Sequence, residues 1–238
     1  MKKLGGILAL PVRALFFKVL AVTAATAAAQ VAAVLLLSNA AQLDLAYLQL
    51  ENYTHLLAAV GFAAVTALLA LHGCQFSGVK TDYTLRRLPV TEERVVCLWA
   101  LAYLGFLVLF WAVELGVVLF QWRVVTRELT YRPAPLAAES YLNGFFHGLL
   151  PLEDWPRHIR NLLWLSALSL GLAVFSRWQR RGQVSLVWVL TLLLGLCTFC
   201  SSPGSAIIDL FFSIYLLGQM LFQLDGLRES EADAHEEA

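Results

Sequence analysis

Long uncharged runs alternate along the chain with short charged segments, and within the runs apolar residues are continuous. Crossing about 30 Å of hydrocarbon takes about 20 helical residues. A membrane β-barrel would instead need polar and apolar positions to alternate over about ten residues, whereas a helix satisfies its own backbone hydrogen bonds in lipid. The pattern therefore predicts an all-α polytopic membrane protein with six transmembrane helices, at about 19–38, 55–75, 95–120, 160–177, 183–200 and 205–224.

The last two predicted helices come from one long apolar run. Between Gly182 and Leu224 the only charged residue is Asp209, and the sequence Ser-Ser-Pro-Gly-Ser at 201–205 favours a turn that divides the run. Residues 1–226 then form a single transmembrane domain. Residues 227–238 are rich in Asp and Glu without apolar anchors, so we expect a solvated, cytoplasmic acidic tail.

The segment before the first predicted crossing combines basic and apolar residues. We expect residues 2–17 to form an interfacial helix, with Lys2 and Lys3 facing lipid phosphates. A cleaved signal peptide is the alternative, because the alanine-rich stretch 24–29 resembles a cleavage region. The apolar run continues past that stretch, through 31–37, which favours an uncleaved segment.

The composition agrees with a lipid environment. The chain is 59% hydrophobic and 14% charged, with a mean hydropathy of +0.69, whereas soluble domains are about 45–50% apolar and about 25% charged. A soluble globule of this size cannot hide so much apolar surface, which excludes a soluble enzyme and a disordered protein. Membrane lipids are therefore expected partners. The formal net charge is zero, so no basic excess indicates a nucleic-acid partner.

The basic residues predict the orientation. With the N-terminus inside, twelve of the 17 Lys and Arg residues lie on the cytoplasmic side of six crossings. A seventh crossing at 133–152 would reduce that number to ten. We therefore expect a multi-pass protein of the cell membrane (plasma membrane or bacterial inner membrane) with both termini cytoplasmic.

The segment between the second and third predicted helices carries the most information. Thr81 or Asp82 is able to cap a short helix, Pro89 ends it, and Thr91 caps the third transmembrane helix. This order predicts a stiff, short cytoplasmic helix. A plain positive-inside loop is the alternative, since such a loop needs arginines but not this order. The short helix would project Tyr83, Leu85, Arg86, Arg87 and Leu88.

The pattern Tyr-x-Leu-Arg-Arg-Leu-Pro-Val at 83–90 resembles the permease subunits of ABC-2 type ABC transporters. In that family this loop is the coupling helix, which docks into a cleft on a separate ATP-hydrolysing subunit. The resemblance implies a permease subunit of an ATP-driven exporter, with an ABC ATPase subunit and a second permease copy or related permease as partners. The long outer segment 122–160 departs from the family's common layout. By position, the residues that contact the ATPase would be Asp82, Tyr83, Leu85, Arg86, Arg87, Leu88 and Pro89.

The sequence offers no motif for chemistry in this chain. It has no Gly-x-x-x-x-Gly-Lys-Ser/Thr loop, so ATP and Mg are expected on the partner ATPase and no cofactor or metal here. It also lacks the Gly-x-Ser-x-Gly and His-Glu-x-x-His motifs. The cluster Glu92-Glu93-Arg94 is similar to the Glu-Glu-x-x-x-Arg motif of CAAX-processing membrane proteases, but position 97 is Cys97. We therefore expect no catalytic residues.

Two acidic residues fall inside predicted helices. A carboxylate in lipid is costly, so Glu114 and Asp209 are predicted to face the bundle interior, water or a partner, as part of an outer gate. Interfacial placement is the alternative, since Asp209 could simply cap the sixth helix.

Cys197 and Cys200 share one helix face and are expected to be packing residues rather than redox or metal ligands. Gln30, His72, Gln219 and Gln223 are expected to form interhelical hydrogen bonds.

The outer segment 136–150 is predicted to form an amphipathic helix between the third and fourth crossings. Its aromatic residues Tyr141, Phe145 and Phe146 either lie in the membrane interface or form a lid over an exit path. A non-transporting membrane scaffold or accessory subunit is the alternative function for the whole chain. It would share the bundle but have no conduction path, and it would not depend on Tyr83, Arg86 or Arg87.

Overall fold

The computed structural model describes residues 2–38, 43–73, 90–128, 136, 144–180, 210–211, 213–222 and 224–225. Within these ranges every regular element is a helix, which confirms the all-α prediction for the described part of the chain. The helices are α1 (Lys2–Ser38), α2 (Leu43–Ala70) with a following 3-10 turn (Leu71–Gly73), α3 (Glu92–Glu128), α4 (Gly144–Leu149), α5 (Trp155–Arg180) and the short apolar helix α6 (Ser213–Phe222).

Four of these helices are long and apolar enough to cross a membrane, which makes the chain a multi-pass membrane protein by length and composition. Large apolar side chains such as Phe17, Leu36 and Phe222 are about three-quarters exposed, as expected for residues that contact lipid. The predicted crossing at 183–200 lies outside the described residues, and α6 covers part of the one at 205–224, so the count of six stays a prediction. The four candidate spans are Gly5–Leu36, Tyr53–Ala70, Glu92–Val124 and Trp155–Gln179.

The N-terminal boundary differs from the prediction. The expected interfacial helix at 2–17 and the first crossing at 19–38 are one continuous helix, α1, which contains Pro11. The uncharged run predicted as the first crossing begins after Lys18, but a single lysine does not break a helix, and the Lys18 side chain is exposed.

Several other helices are longer than predicted. α2 begins at Leu43 rather than near 55, α3 runs to Glu128 rather than to about 120, and α5 begins at Trp155 rather than near 160. Hydropathy marks the part of a helix that suits lipid. Backbone hydrogen bonding continues into flanking residues such as Glu, Gln and Arg, which are good helix formers.

α1 and α2 pack antiparallel and very closely. Gln30 of α1 reaches the backbone of Thr54 on α2, and one turn earlier on α1 Thr26 lies against Gly61 of α2. A Cβ atom on Gly61 would lie 2.6 Å from Cγ2 and 3.0 Å from Cβ of Thr26. Only a glycine allows the two backbones to approach this closely, as in the small-residue contacts common between membrane helices.

α5 is the most enclosed of the candidate spans: 72% of the residues in its apolar 18-residue stretch are buried, against 22% in that of α1. The ring of Phe62 on α2 stacks on Trp164 of α5, with centroids 5.5 Å apart, and lies 6.0 Å from Phe110 of α3. These contacts join α2, α3 and α5 in one aromatic cluster. From α6, Leu216 and Met220 pack into the same core.

Candidate functional site

The bundle has two ends, and the start of α3 marks one of them, here called the Glu92 end. The coupling segment, defined as residues 82–89, lies outside the described residues, and the described chain resumes at Val90. The α2 helix ends and α3 begins at this end of the bundle. The predicted contact residues Asp82, Tyr83, Leu85, Arg86, Arg87, Leu88 and Pro89 are therefore not placed by the structure.

The first turn of α3 is fastened to the last turns of α5. The carbonyl of Thr91 accepts a hydrogen bond from the Val95 amide at 3.2 Å, which begins the helix. The carboxylate of Glu92 accepts a hydrogen bond from Nε of Arg177 on α5. The Arg177 side chain is only 5% exposed, whereas that of Glu92 is 33% exposed. The predicted topology has both residues on the same side of the membrane, but no spacing rule pairs residues so far apart in the chain.

The opposite end of the described bundle, here called the α4 end, is covered by the six-residue helix α4. Trp111 of α3 donates its indole N–H to the carbonyl of Leu149 at 3.2 Å. Asn161 of α5 donates its amide to the carbonyl of Gly148 at 2.8 Å. Carbonyls at a helix C-terminus lack partners within the helix, so α3 and α5 each satisfy one of them. Sequence reasoning missed both contacts, because no motif marks a side chain that bonds a distant backbone.

The side chains of α4 face the bundle. Phe145 is 8% and Phe146 1% exposed, and both pack with Ala58 of α2 and Val118 of α3. The Phe145 ring also stacks on His55 of α2, with centroids 4.8 Å apart. Two of the three predicted lid residues are thus packed against α2 and α3. The third, Tyr141, lies outside the described residues.

A tight turn joins α4 to α5 and gathers charged groups. The amide of Asp154 donates to the carbonyl of Pro151 at 2.6 Å. The carboxylate of Asp154 forms an ion pair with Arg157, with Oδ2 lying 2.8 Å from Nε. Nε2 of His147 lies 3.7 Å from the same oxygen. Burial lowers the pKa of His147 below its usual value, and the charge of Arg157 adds to the effect, outweighing Asp154. Burial therefore favours the neutral form of the His147 imidazole.

A small cavity lies beneath α4, between α3 and α5. Its volume is about 40 Å³, enough for a few water molecules. Its lining includes the aromatic residues Phe110 and Trp164 and the polar residues Arg160 and Asn161. Nε and Nη2 of Arg160 donate to Oδ1 of Asn161 at 3.0 and 2.6 Å. The guanidinium therefore holds the Asn161 side chain, whose amide in turn holds α4.

Glu114, the predicted gate residue of α3, is completely buried. Nε2 of Gln30 donates to Oε2 of Glu114 at 2.8 Å and to the carbonyl of Thr54 at 3.1 Å. The expectation that Gln30 forms interhelical hydrogen bonds is thus confirmed, since it joins α1 to both α2 and α3. Asp209, the expected second member of this polar zone, lies outside the described residues.

Within the described ranges, no group of three His, Cys, Asp or Glu side chains could hold a metal ion. Cys197 and Cys200 lie outside those ranges. No known protein family, curated protein or solved structure matches this chain. In the described part of the chain, α3 and α5 are joined by an ion pair at one end of the bundle and bond α4 at the other.

Proposed function

We propose that this chain is the membrane-spanning permease subunit of an ATP-driven exporter of the ABC-2 type, which couples ATP hydrolysis on a separate subunit to movement of a substrate across the membrane. The observation that carries the proposal is the Tyr-x-Leu-Arg-Arg-Leu-Pro-Val pattern at 83–90, between two membrane-spanning helices. ATP and Mg are bound by the partner ATPase, and a second permease copy or related permease completes the membrane part.

The helices on either side of the coupling segment support this role. The segment leads directly into α3, whose first turn is joined to α5 by the pair of Glu92 and Arg177. A displacement of the segment therefore acts on two helices at once. Tyr and Arg are favoured at protein interfaces because they combine contact area with forked hydrogen bonding, and the segment has Tyr83 and two arginines.

The far ends of the same two helices meet α4. Trp111 lies about 28 Å along α3 from Glu92, and Asn161 about 24 Å along α5 from Arg177, at 1.5 Å per residue. Both residues hold carbonyls of α4. A sliding of α3 against α5 would strain these two hydrogen bonds, so α4 is the element that a stroke at the Glu92 end would release. Alternation between two packings of the bundle, rather than bond chemistry in this chain, is the proposed mechanism.

The test starts from gentle solubilisation of the tagged, full-length chain and identification of the proteins that copurify. We expect an ATPase subunit, whose turnover rises when the chain is present. The double substitution Arg86→Glu/Arg87→Glu is expected to abolish that stimulation while the bundle remains folded, because it reverses the charge of the contact surface. The matched control is Lys2→Glu/Lys3→Glu, which makes the same charge change before the candidate span Gly5–Leu36 begins and should leave stimulation intact.

Full stimulation by the Arg86→Glu/Arg87→Glu variant would remove the coupling role. A preparation in which the chain reproducibly copurifies with a membrane complex that contains no ATPase would favour the scaffold or accessory subunit instead. A folded bundle is verified in each variant by its elution as a single species in detergent.

A further inference from the structure

The carboxyl group of Glu114 has one polar side-chain neighbour. Its exposure is 0%, and Oε2 accepts a hydrogen bond from Gln30 at 2.8 Å. In the described part of the chain no Lys, Arg or His nitrogen lies within salt-bridge distance of it. An ionised carboxylate without a cation or several donors is very costly in an apolar interior.

The hydrogen bond between Gln30 and Glu114 uses only one oxygen of the carboxyl group and does not use the amide oxygen. Oε1 of Gln30 and Oε1 of Glu114 are both buried, and neither has a hydrogen-bond partner in the described ranges. The two hydrogens of the Gln30 amide are already used, one on Glu114 and one on the carbonyl of Thr54. Because a carbonyl only accepts, Thr54 fixes the amide with its nitrogen towards α2. Turning the amide over would leave three acceptors facing one another.

One proton completes this arrangement. A carboxylic acid and an amide are complementary: the amide N–H donates to one acid oxygen, and the acid O–H donates to the amide oxygen. The first of these two bonds is present between Gln30 and Glu114. A proton on Oε1 of Glu114 would make this oxygen a hydrogen-bond donor, and Oε1 of Gln30 would be its acceptor. We propose that Glu114 and Gln30 form a proton-binding site, in which Glu114 is a neutral acid that exchanges two hydrogen bonds with the Gln30 amide.

Basic side chains at the α4 end of the bundle have contacts with other groups. The ring of His55 on α2 stacks on Phe145. His147 of α4 contacts Asp154, and Arg160 of α5 bonds Asn161. The proton is therefore the cation that the site takes. Its loss would leave a buried anion and an amide oxygen without a donor between α1 and α3, so deprotonation would act to separate these two helices.

The direct test is the infrared spectrum of the purified full-length protein in lipid at neutral pH. A protonated carboxyl has a C=O stretch that is separate from those of carboxylates and amides. We expect this band in the wild-type protein and its loss in Glu114→Gln. The matched control is Glu93→Gln, the same substitution at the start of the same helix, which should leave the band unchanged. A wild-type spectrum without a Glu114-dependent band would overturn the proposal.

Stability gives a second readout. Glu114→Gln keeps two complementary hydrogen bonds without needing a proton, so its melting temperature should match that of the wild type. Gln30→Leu removes both bonds and should lower it. If Glu114→Gln is not recovered folded, the exchanged pair Gln30→Glu/Glu114→Gln, which places the acid on α1 and the amide on α3, should fold and retain the band. An exchanged pair that also fails to fold, or that lacks the band, would contradict the proposal.

Discussion

The contact between Gly61 and Thr26 allows a sharp test of how closely α1 and α2 are packed. In Gly61→Ala the new methyl group would lie 2.6 Å from Cγ2 and 3.0 Å from Cβ of Thr26, well inside the usual 3.5–4.0 Å separation of carbon atoms. Rotating Thr26 does not solve the clash, because its Cβ stays in place. Rotation would also break the hydrogen bond from Oγ1 of Thr26 to the carbonyl of Val22, which is 2.9 Å long.

The expected size of the effect follows from a matched comparison. Any helical Gly→Ala substitution gains roughly 0.5–1 kcal/mol from backbone entropy. Gly105→Ala on α3 receives this gain alone, since nothing lies within 4 Å of its new Cβ. Gly61→Ala receives the same gain and also the overpacking cost, typically about 1–3 kcal/mol. The two variants should therefore differ by that cost, which corresponds to roughly 2–12 °C in melting temperature for a chain of this size.

The assay is the fraction of tagged protein that elutes as a single species after heating in detergent. Gly61→Ala should melt below Gly105→Ala, and Thr26→Ala in the Gly61→Ala background should recover most of the difference, because it removes two of the three clashing atoms. Equal melting temperatures for Gly61→Ala and Gly105→Ala would refute the close approach of α1 and α2.

Two further predictions concern the α4 end. Asn161→Leu removes the donor to Gly148 and should lower the free energy of unfolding by roughly 1–3 kcal/mol, measured by chemical denaturation, whereas Leu162→Ala at the exposed neighbouring position should have a smaller effect. His147, whose pKa burial lowers, resists protonation in the folded state while the unfolded chain accepts a proton. Stability should therefore fall as the pH drops below about 6.5. In melting temperatures measured across this pH range, His147→Gln should show a smaller decrease than the wild type. An equal decrease in both proteins would contradict the assignment.

The sequence predicted the presence of the membrane-spanning helices better than it predicted the residues at which they begin and end. The four candidate spans follow from continuous apolar runs, because a helix in a membrane can have apolar residues on all of its faces. The joining of 2–17 to 19–38 could not be predicted in the same way, because hydropathy reports the solvent around a helix rather than the continuity of its backbone. The early start of α2 at Leu43 has the same explanation.

For the candidate site, the sequence predicted the environment of single residues but not which residues contact each other. A carboxylate inside a span must turn away from lipid, and Glu114 does; a glutamine there must bond a neighbouring helix, and Gln30 does. Neither rule says that these two residues meet. Two other contacts depend in the same way on how helices far apart in sequence are aligned: the pair of Glu92 and Arg177, and the hydrogen bond from Asn161 to α4. A single sequence carries no information about this alignment. The coupling segment stays a prediction from sequence alone.

The unbroken α1 has a consequence for the membrane itself. Its apolar stretch Gly5–Leu36 has 32 residues and is about 48 Å long, whereas the hydrocarbon layer is about 30 Å thick. Fitting it entirely within that layer would need a tilt of about 50°, beyond the roughly 0–40° that membrane helices adopt. Part of α1 therefore extends into the headgroup region, and the thickness of the surrounding bilayer sets how much of this helix is immersed.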